Sequence, residues 1–123
     1  VARVRRTGPT NYVLRVTIDE LRKAASRNKA PIWRYIAEIL SKNARSRVAV
    51  NLSKISRYAS EGEVIVVPGK VLGAGILNKK VTIAAAHFSK AAIEKIERTG
   101  SRHMHILDLI RENPRGSGVR VIV

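Results

Sequence analysis

The sequence predicts an α/β protein: one small, irregular layered fold of short strands and helices, carrying a basic N-terminal arm. Three observations lead there. Segments with helical period alternate with short β-branched runs along the chain. The strand candidates are brief and interrupted by Gly and Pro, which favours an irregular layered arrangement over an open Rossmann-like sheet. The chain has 123 residues, 45% of them hydrophobic, which suits one domain with a modest core. Aromatics are only 4%, so that core must be built from Val, Ile, Leu and Ala.

Residues 1–16 are basic, contain no acid and are broken by Gly8-Pro9, so they are expected to form an extended arm. The globular domain is expected to span 17–123. Thr17-Ile18-Asp19-Glu20 matches a capping box, with Thr17 as N-cap, and predicts a first helix over about 18–28 carrying Ile18, Leu21 and Ala25. Pro31 suits a first helical position, where its missing N–H costs nothing. Ile32, Trp33, Ile36, Ile39 and Leu40 then form one apolar stripe. Trp33 is expected in the core and Tyr35 outside it, although either ring could stack on a base.

A basic loop follows at 43–47, then a short strand at Val48–Val50. Asn51 is placed to cap a helix bearing Leu52, Ile55, Tyr58 and Ala59. Val64–Val67 is a continuous β-branched run, as in a strand buried on both faces, and Pro68-Gly69 should stop it. Val81–Ala86 is the next strand. Ser89 should cap a helix with Ala92, Ile93 and Ile96 on one face, ended by Gly100. A last helix with Ile106, Leu107 and Ile110 should finish before Pro114. Val119–Val123 reads as a terminal strand with Val119, Val121 and Val123 on one side.

Charge narrows the function. Lys and Arg number 24 against nine Asp and Glu, a net charge of +15 and a sequence pI near 11.3. Such a charge repels itself, so a folded chain carrying it implies a polyanionic partner. The basic residues are densest before residue 48, and 39–60 and 64–93 contain no acid at all. A phosphate is repelled by nearby carboxylates, so these segments are the candidate contacts. Arg adds a planar fork for phosphate or base. Each charge alone reads equally as a solvated surface residue. The arm and the 42–47 loop stand out because their charges cluster on backbone that packing does not fix.

Other classes find little support. There is no cysteine, which excludes disulfides and thiolate metal sites. No apolar run approaches the roughly 20 residues of a membrane span, and no apolar stretch follows the basic N-terminus as in a secretory signal. A cytoplasmic location is expected. Pro68-Gly69-Lys70-Val71-Leu72-Gly73-Ala74-Gly75 follows a strand as a phosphate loop would, but Val71 stands where Ser or Thr is needed and Val64 where the first Gly is needed. A dinucleotide fingerprint fails at Asn78. Two readings of this string remain: a tight turn between strands, or backbone that lets RNA approach at Gly69, Gly73 and Gly75 while Lys70, Lys79 and Lys80 neutralise phosphates. His103-Met104-His105 is a weak metal signal and reads better as surface histidines, and His87 as a strand-end residue. No Gly-x-Ser-x-Gly elbow is present. The expectation is no enzyme, no cofactor, no metal, no membrane and no small-molecule substrate. A chromatin-like DNA coat and a nucleotide-binding enzyme are the competing readings.

At Val50-Asn51-Leu52, Val66-Val67-Pro68-Gly69-Lys70-Val71-Leu72-Gly73-Ala74-Gly75, Phe88-Ser89 and Asn113-Pro114-Arg115-Gly116-Ser117, the sequence resembles ribosomal protein eighteen-e of the large subunit. That family is related to bacterial large-subunit protein fifteen. The resemblance runs from about Thr10 to the C-terminus, and the absence of eukaryotic-type extensions looks archaeal. It implies an irregular β-β-α layered fold, a place in the 50S subunit beside other large-subunit proteins, and direct contact with 23S rRNA. Together with the charge map it nominates Arg3, Arg5, Arg6, Asn11, Arg15, Arg45, Arg47, Lys70, Lys79 and Lys80 as RNA-binding side chains. Gly69, Gly73 and Gly75 are nominated as close-approach backbone.

Overall fold

A computed structural model describes residues 9–42 and 48–123. Its elements run α1 (Pro9–Asn28), α2 (Pro31–Leu40), β1 (Val48–Asn51), α3 (Leu52–Tyr58), β2 (Val64–Leu72), β3 (Thr82–Phe88), α4 (Lys90–Arg98), β4 (Arg102–His105), α5 (Ile106–Glu112) and β5 (Val119–Val121). The class is α/β and layered, as expected. Every strand pair described is parallel, in the order β1-β2-β3-β4, and β5 joins β2 as well.

The irregularity lies on one edge. β5 pairs with the first residues of β2, Val64 to Val66, while β1 pairs with the last, Gly69 to Leu72. The two short strands thus share one side of β2 end to end. β2 itself does not stop at Pro68-Gly69. It runs through them with a register shift against β3 between Val67 and Lys70. A bulge is where a strand tolerates a proline, because the missing N–H falls at an interrupted ladder position.

Side-chain alternation builds a core on each face of the sheet. Ile65, Val67, Val71, Ile83 and Ala85 meet α3 and α4 through Leu52, Ile55, Ala92 and Ile96. Val66 and Ala84 point the other way and meet Leu21, Trp33, Ile36, Ile106 and Leu109 of α1, α2 and α5. The unbroken apolar runs in β2 and β3 follow from this, since neither face is left to water.

The first helix corrects the sequence reading. It starts at Pro9, so residues 9–16, expected in an extended arm, form its first turns; residues 1–8 lie outside the described residues. Pro9 occupies a helical first turn, where proline is favoured, and is not a breaker. Leu14, Ile18, Leu21 and Ala25 carry one apolar stripe along it. Thr17 is therefore not a cap. It is fully buried in mid-helix and its hydroxyl donates back to the Val13 carbonyl at 2.7 Å.

The remaining element ends agree better with the sequence. Pro31 opens α2, and the Ser89 hydroxyl accepts from the Ala92 N–H at 3.1 Å to cap α4. Gly100 ends α4 with φ +75. Asn51 takes the N-cap position of α3 but makes no side-chain cap bond. β4 was not anticipated: His103 and His105 flank the buried Met104 in a four-residue strand. β5 ends at Val121, with Ile122 buried among the α3–α4 cluster and Val123 exposed beyond the strand.

Candidate nucleic-acid interface

Sequence patterning places the basic residues of α1 and α2 outward because their apolar stripes face the sheet. The two helices form a hairpin turned at Lys29, which adopts φ +50, and closed by the Ala30 N–H donating to the Ala25 carbonyl at 3.0 Å. Two adjoining shallow depressions lie on this hairpin. One is lined by Arg22, Lys23, Ser26 and Arg27, the other by Ala25, Ser26, Lys29, Pro31 and Arg34. All five cations are exposed, and among the described residues no carboxylate lines either depression. Ion pairing consumes little of this charge: of the five, only Lys23 has a carboxylate within reach among the described residues, Glu20 at 3.9 Å. The Arg22 guanidinium also donates to the Ser41 hydroxyl at 3.3 Å, which ties the two helices together.

This patch was missed because its residues are scattered in sequence among Asp19, Glu20 and Glu38. The charge map read from the sequence singled out the arm and the basic loop instead. A helical projection of 22, 23, 26 and 27 was the available signal.

The nominated residues fall into separate places. Arg3, Arg5, Arg6, Arg45 and Arg47 lie outside the described residues. Asn11 and Arg15 are on α1, with Arg15 exposed. Lys70 is exposed on β2 in register with His87. Lys79 and Lys80 lie toward the opposite end of the sheet, just before Thr82, which is level with Val64. Five residues of β3, from Thr82 to His87, separate the two ends, roughly 16 Å at strand rise. Lys70 and Lys80 therefore lie toward opposite ends of the sheet. Lys79 is moreover engaged, its ammonium donating to the Ala59 carbonyl at 2.6 Å at the end of α3. Lys80 is exposed, and its backbone N–H donates to the Glu61 carboxylate at 3.0 Å.

The glycines approach the protein's own backbone. A Cβ at Gly69 would stand 2.9 Å from the Val48 carbonyl carbon and nearer still to its oxygen. One at Gly73 would lie 2.7 Å from the Ala91 Cβ. Gly75 has φ +87 and faces Ser53, and the Lys95 ammonium fastens the loop by donating to the Gly73 and Gly75 carbonyls at 2.6 and 2.9 Å. Strand, helix and loop packing accounts for all three glycines without an external ligand.

The titratable groups serve structure. His103 sits 3.5 Å from Glu97 and edge-on to Phe88. His105 caps α5: its Nδ1 accepts from the Leu107 N–H at 3.1 Å. Burial holds its pKa below the ordinary histidine value, partly opposed by Asp108. Glu63 is held below the usual carboxylate value by the Ser60 N–H and by Arg120, whose Nε lies 2.8 Å from it. Among the described residues no group of three or more His, Cys, Asp or Glu is placed to hold a metal ion, and no helix is long and apolar enough to cross a membrane.

A parallel α/β core carrying a large positive excess, with exposed cations gathered on one helical hairpin, defines a basic protein built to sit against a polyanion. Comparison with known proteins makes this specific. Residues 15–103 match the family of ribosomal proteins described as 50S-L15 and 50S-L18e together with their 60S counterpart, and the chain belongs to it. It is 50% identical to large ribosomal subunit protein eL18 of Pyrobaculum aerophilum, over 95% of this chain and 96% of that one. It is 51% identical to the eL18 protein of Methanococcus maripaludis, over 85% and 88% of the two chains. With that of Archaeoglobus fulgidus it shares 45% identity, over 98% and 100%. This is a ribosomal protein family, so the chain is a structural component and not an enzyme.

Proposed function

We propose that this protein binds 23S rRNA within the large ribosomal subunit, in the cytoplasm, and stabilises the folded RNA there beside neighbouring ribosomal proteins. The observation that carries this is the basic α1–α2 hairpin: Arg22, Lys23, Arg27, Lys29 and Arg34 surround two depressions that no described carboxylate lines, on a core-anchored surface. The eL18 relatives carry the large subunit in their names, which supports the location. Exposed cations contact phosphates and carry no base readout, so the role is to bring RNA segments together against their own repulsion.

The nominated side chains extend the surface. Arg15, Lys70 and Lys80 are exposed cations. Arg3, Arg5, Arg6, Arg45, Arg47 and Asn11 are the further side chains assigned to RNA contact. For Lys79, Gly69, Gly73 and Gly75 the intramolecular contacts described above make an RNA role secondary.

A filter-binding titration against protein-stripped 23S rRNA tests the proposal. If six to ten phosphates are contacted, affinity falls by about 10³–10⁵ between 50 and 200 mM salt. The triple change Arg22→Ala, Arg27→Ala and Arg34→Ala should flatten that dependence and leave the melting temperature nearly unchanged. Affinity insensitive to salt, or equal preference for duplex DNA in competition, would refute it.

A further inference from the structure

A second concavity is unrelated to the hairpin depressions and chemically unlike them. It is a cavity of about 470 Å³ between the N-terminal half of α1, the first residues of β1 and the later residues of β2 and β3. That size is within the roughly 300–1,000 Å³ typical of sites that enclose small organic groups. Its walls are largely apolar, with Val13 from α1, Ala49 from β1 and Ala86 from β3. Among the described residues, the only charged or ionisable side chains lining it are Lys70, His87 and His105, and no carboxylate does.

Two of these groups are exposed, and both imidazoles are fixed by a hydrogen bond: the His87 Nδ1–H donates to the Phe88 carbonyl at 3.0 Å, which leaves its Nε2 as an acceptor. Lys70 and His87 are exposed and level with one another across β2 and β3. The His105 Nδ1 already accepts from the Leu107 N–H, so its ring proton sits on Nε2 and the ring offers one fixed donor. An occupant suited to these walls has an apolar face, polar edges that both accept and donate hydrogen bonds, and an anion close by. The acid-free stretch 64–93 supplies Lys70, Ala86 and His87 of this wall, and the whole chain carries +15. These charges disfavour an apolar plug from another basic protein. They suit a nucleotide, which joins a flat π-face to a phosphate.

Resting on the RNA-binding reading above, we propose that this cavity receives one unstacked base of the bound RNA. The base lies against Val13, Ala49 and Ala86 with the imidazoles of His87 and His105 at its edges, and Lys70 draws the adjoining phosphate. Phosphate contacts on the hairpin would then orient the RNA, and the captured base would fix its register.

The test fills the cavity from its mouth. Ala49 is exposed on β1, so Ala49→Phe places a ring at the opening without entering the core. Val13→Trp, from the 41%-exposed Val13 on α1, blocks the opposite wall if the first variant melts early. Both are titrated against protein-stripped 23S rRNA of Pyrobaculum aerophilum at several salt concentrations. Loss of one stacked base weakens affinity about 5- to 150-fold. The slope against salt should stay unchanged, because no phosphate contact is removed. Lys70→Ala should instead reduce the slope. A benzophenone amino acid at position 49 should photo-cross-link to a nucleotide in reconstituted large subunits. Wild-type affinity in both filled variants, or a cross-link to protein, overturns the captured base and leaves the RNA reading standing. Failure of the wild-type chain to bind the rRNA at all overturns both.

Discussion

Gly69→Ala separates the two uses a glycine can have in this fold. In the structure Gly69 pairs with Val48 across β1 and β2, and an added Cβ would stand 2.9 Å from the Val48 carbonyl carbon and 3.0 Å from its Cβ. Carbon–oxygen contacts between strands settle near 3.3–3.6 Å, and the Val48 oxygen is the nearest atom, so β1 must retreat by roughly 1.2–1.5 Å. That retreat strains the ladder from Val48↔Gly69 to Asn51↔Leu72, whose hydrogen bonds contribute a net ~0.5–1.5 kcal/mol each. Overpacking a well-filled site adds about 1–3 kcal/mol. A combined loss of about 2–4 kcal/mol is expected. For a chain of this size each kcal/mol moves Tm by about 3–6 °C, so Tm should fall by roughly 6–24 °C. Thermal unfolding followed by circular dichroism reads this directly. Gly62→Ala is the control: Gly62 has φ +79 but nothing within 4 Å of the added Cβ, so only the left-handed backbone costs, about 1 kcal/mol. If Gly69→Ala melts like the wild type and loses rRNA affinity instead, the close approach is to RNA and the packing account of this glycine is wrong.

Four other outcomes follow from named contacts. Burial keeps His105 neutral in the fold, so its contribution is complete above its unfolded value of 6.5 and declines as pH falls below it. Melting temperature should drop from pH 7 toward pH 5, and His105→Asn, which can cap without titrating, should flatten that drop. The lowered pKa of Glu63 acts in a separate window, its stability present above 4.5 and lost on further acidification, so Glu63→Gln should lower Tm at neutral pH and flatten the fall below 4.5. Trp33, the only tryptophan, donates to the Pro114 carbonyl at 2.7 Å and packs beside Gly116. Trp33→Phe should cost about 2–3 kcal/mol and speed proteolysis within 113–118; unchanged cleavage there would mean the indole does not anchor the loop. Lys95→Met removes both carbonyl bonds to the 73–75 loop at a cost of about 1 kcal/mol, since water replaces part of them. Hydrogen exchange at the Ser53 N–H, bonded to Ala74 at 3.1 Å, should rise, and a constant rate would show the loop holds without Lys95.

Signals confined to one stretch of backbone were legible in the sequence. The β-branched run at 64–67 and the apolar run at 81–86 read as strands covered on both faces because continuous burial needs continuous apolarity. Pro31, Ser89 and Gly100 marked helix ends because each acts on its own local φ, N–H or carbonyl. The charge total named the class of partner, and the family strings named the ribosome.

Long-range partners decided the rest. Pro9 opens a helix because Leu14 and Ile18 find the α2–sheet core, which also buries Thr17 and defeats its capping pattern. Pro68-Gly69 continues a strand because β1 and β3 hold it on either side through a bulge. The sequence could say that Gly69 permits a close approach; only the fold shows the approaching group to be Val48. The basic depressions exist only once α1 and α2 fold back on one another and bring 22, 27, 29 and 34 to one side. Composition and local pattern determine what each segment can do, whereas which surfaces meet depends on contacts between residues far apart in the chain. The sequence by itself therefore established a basic α/β ribosomal protein, and the tertiary structure decided where its charge is presented.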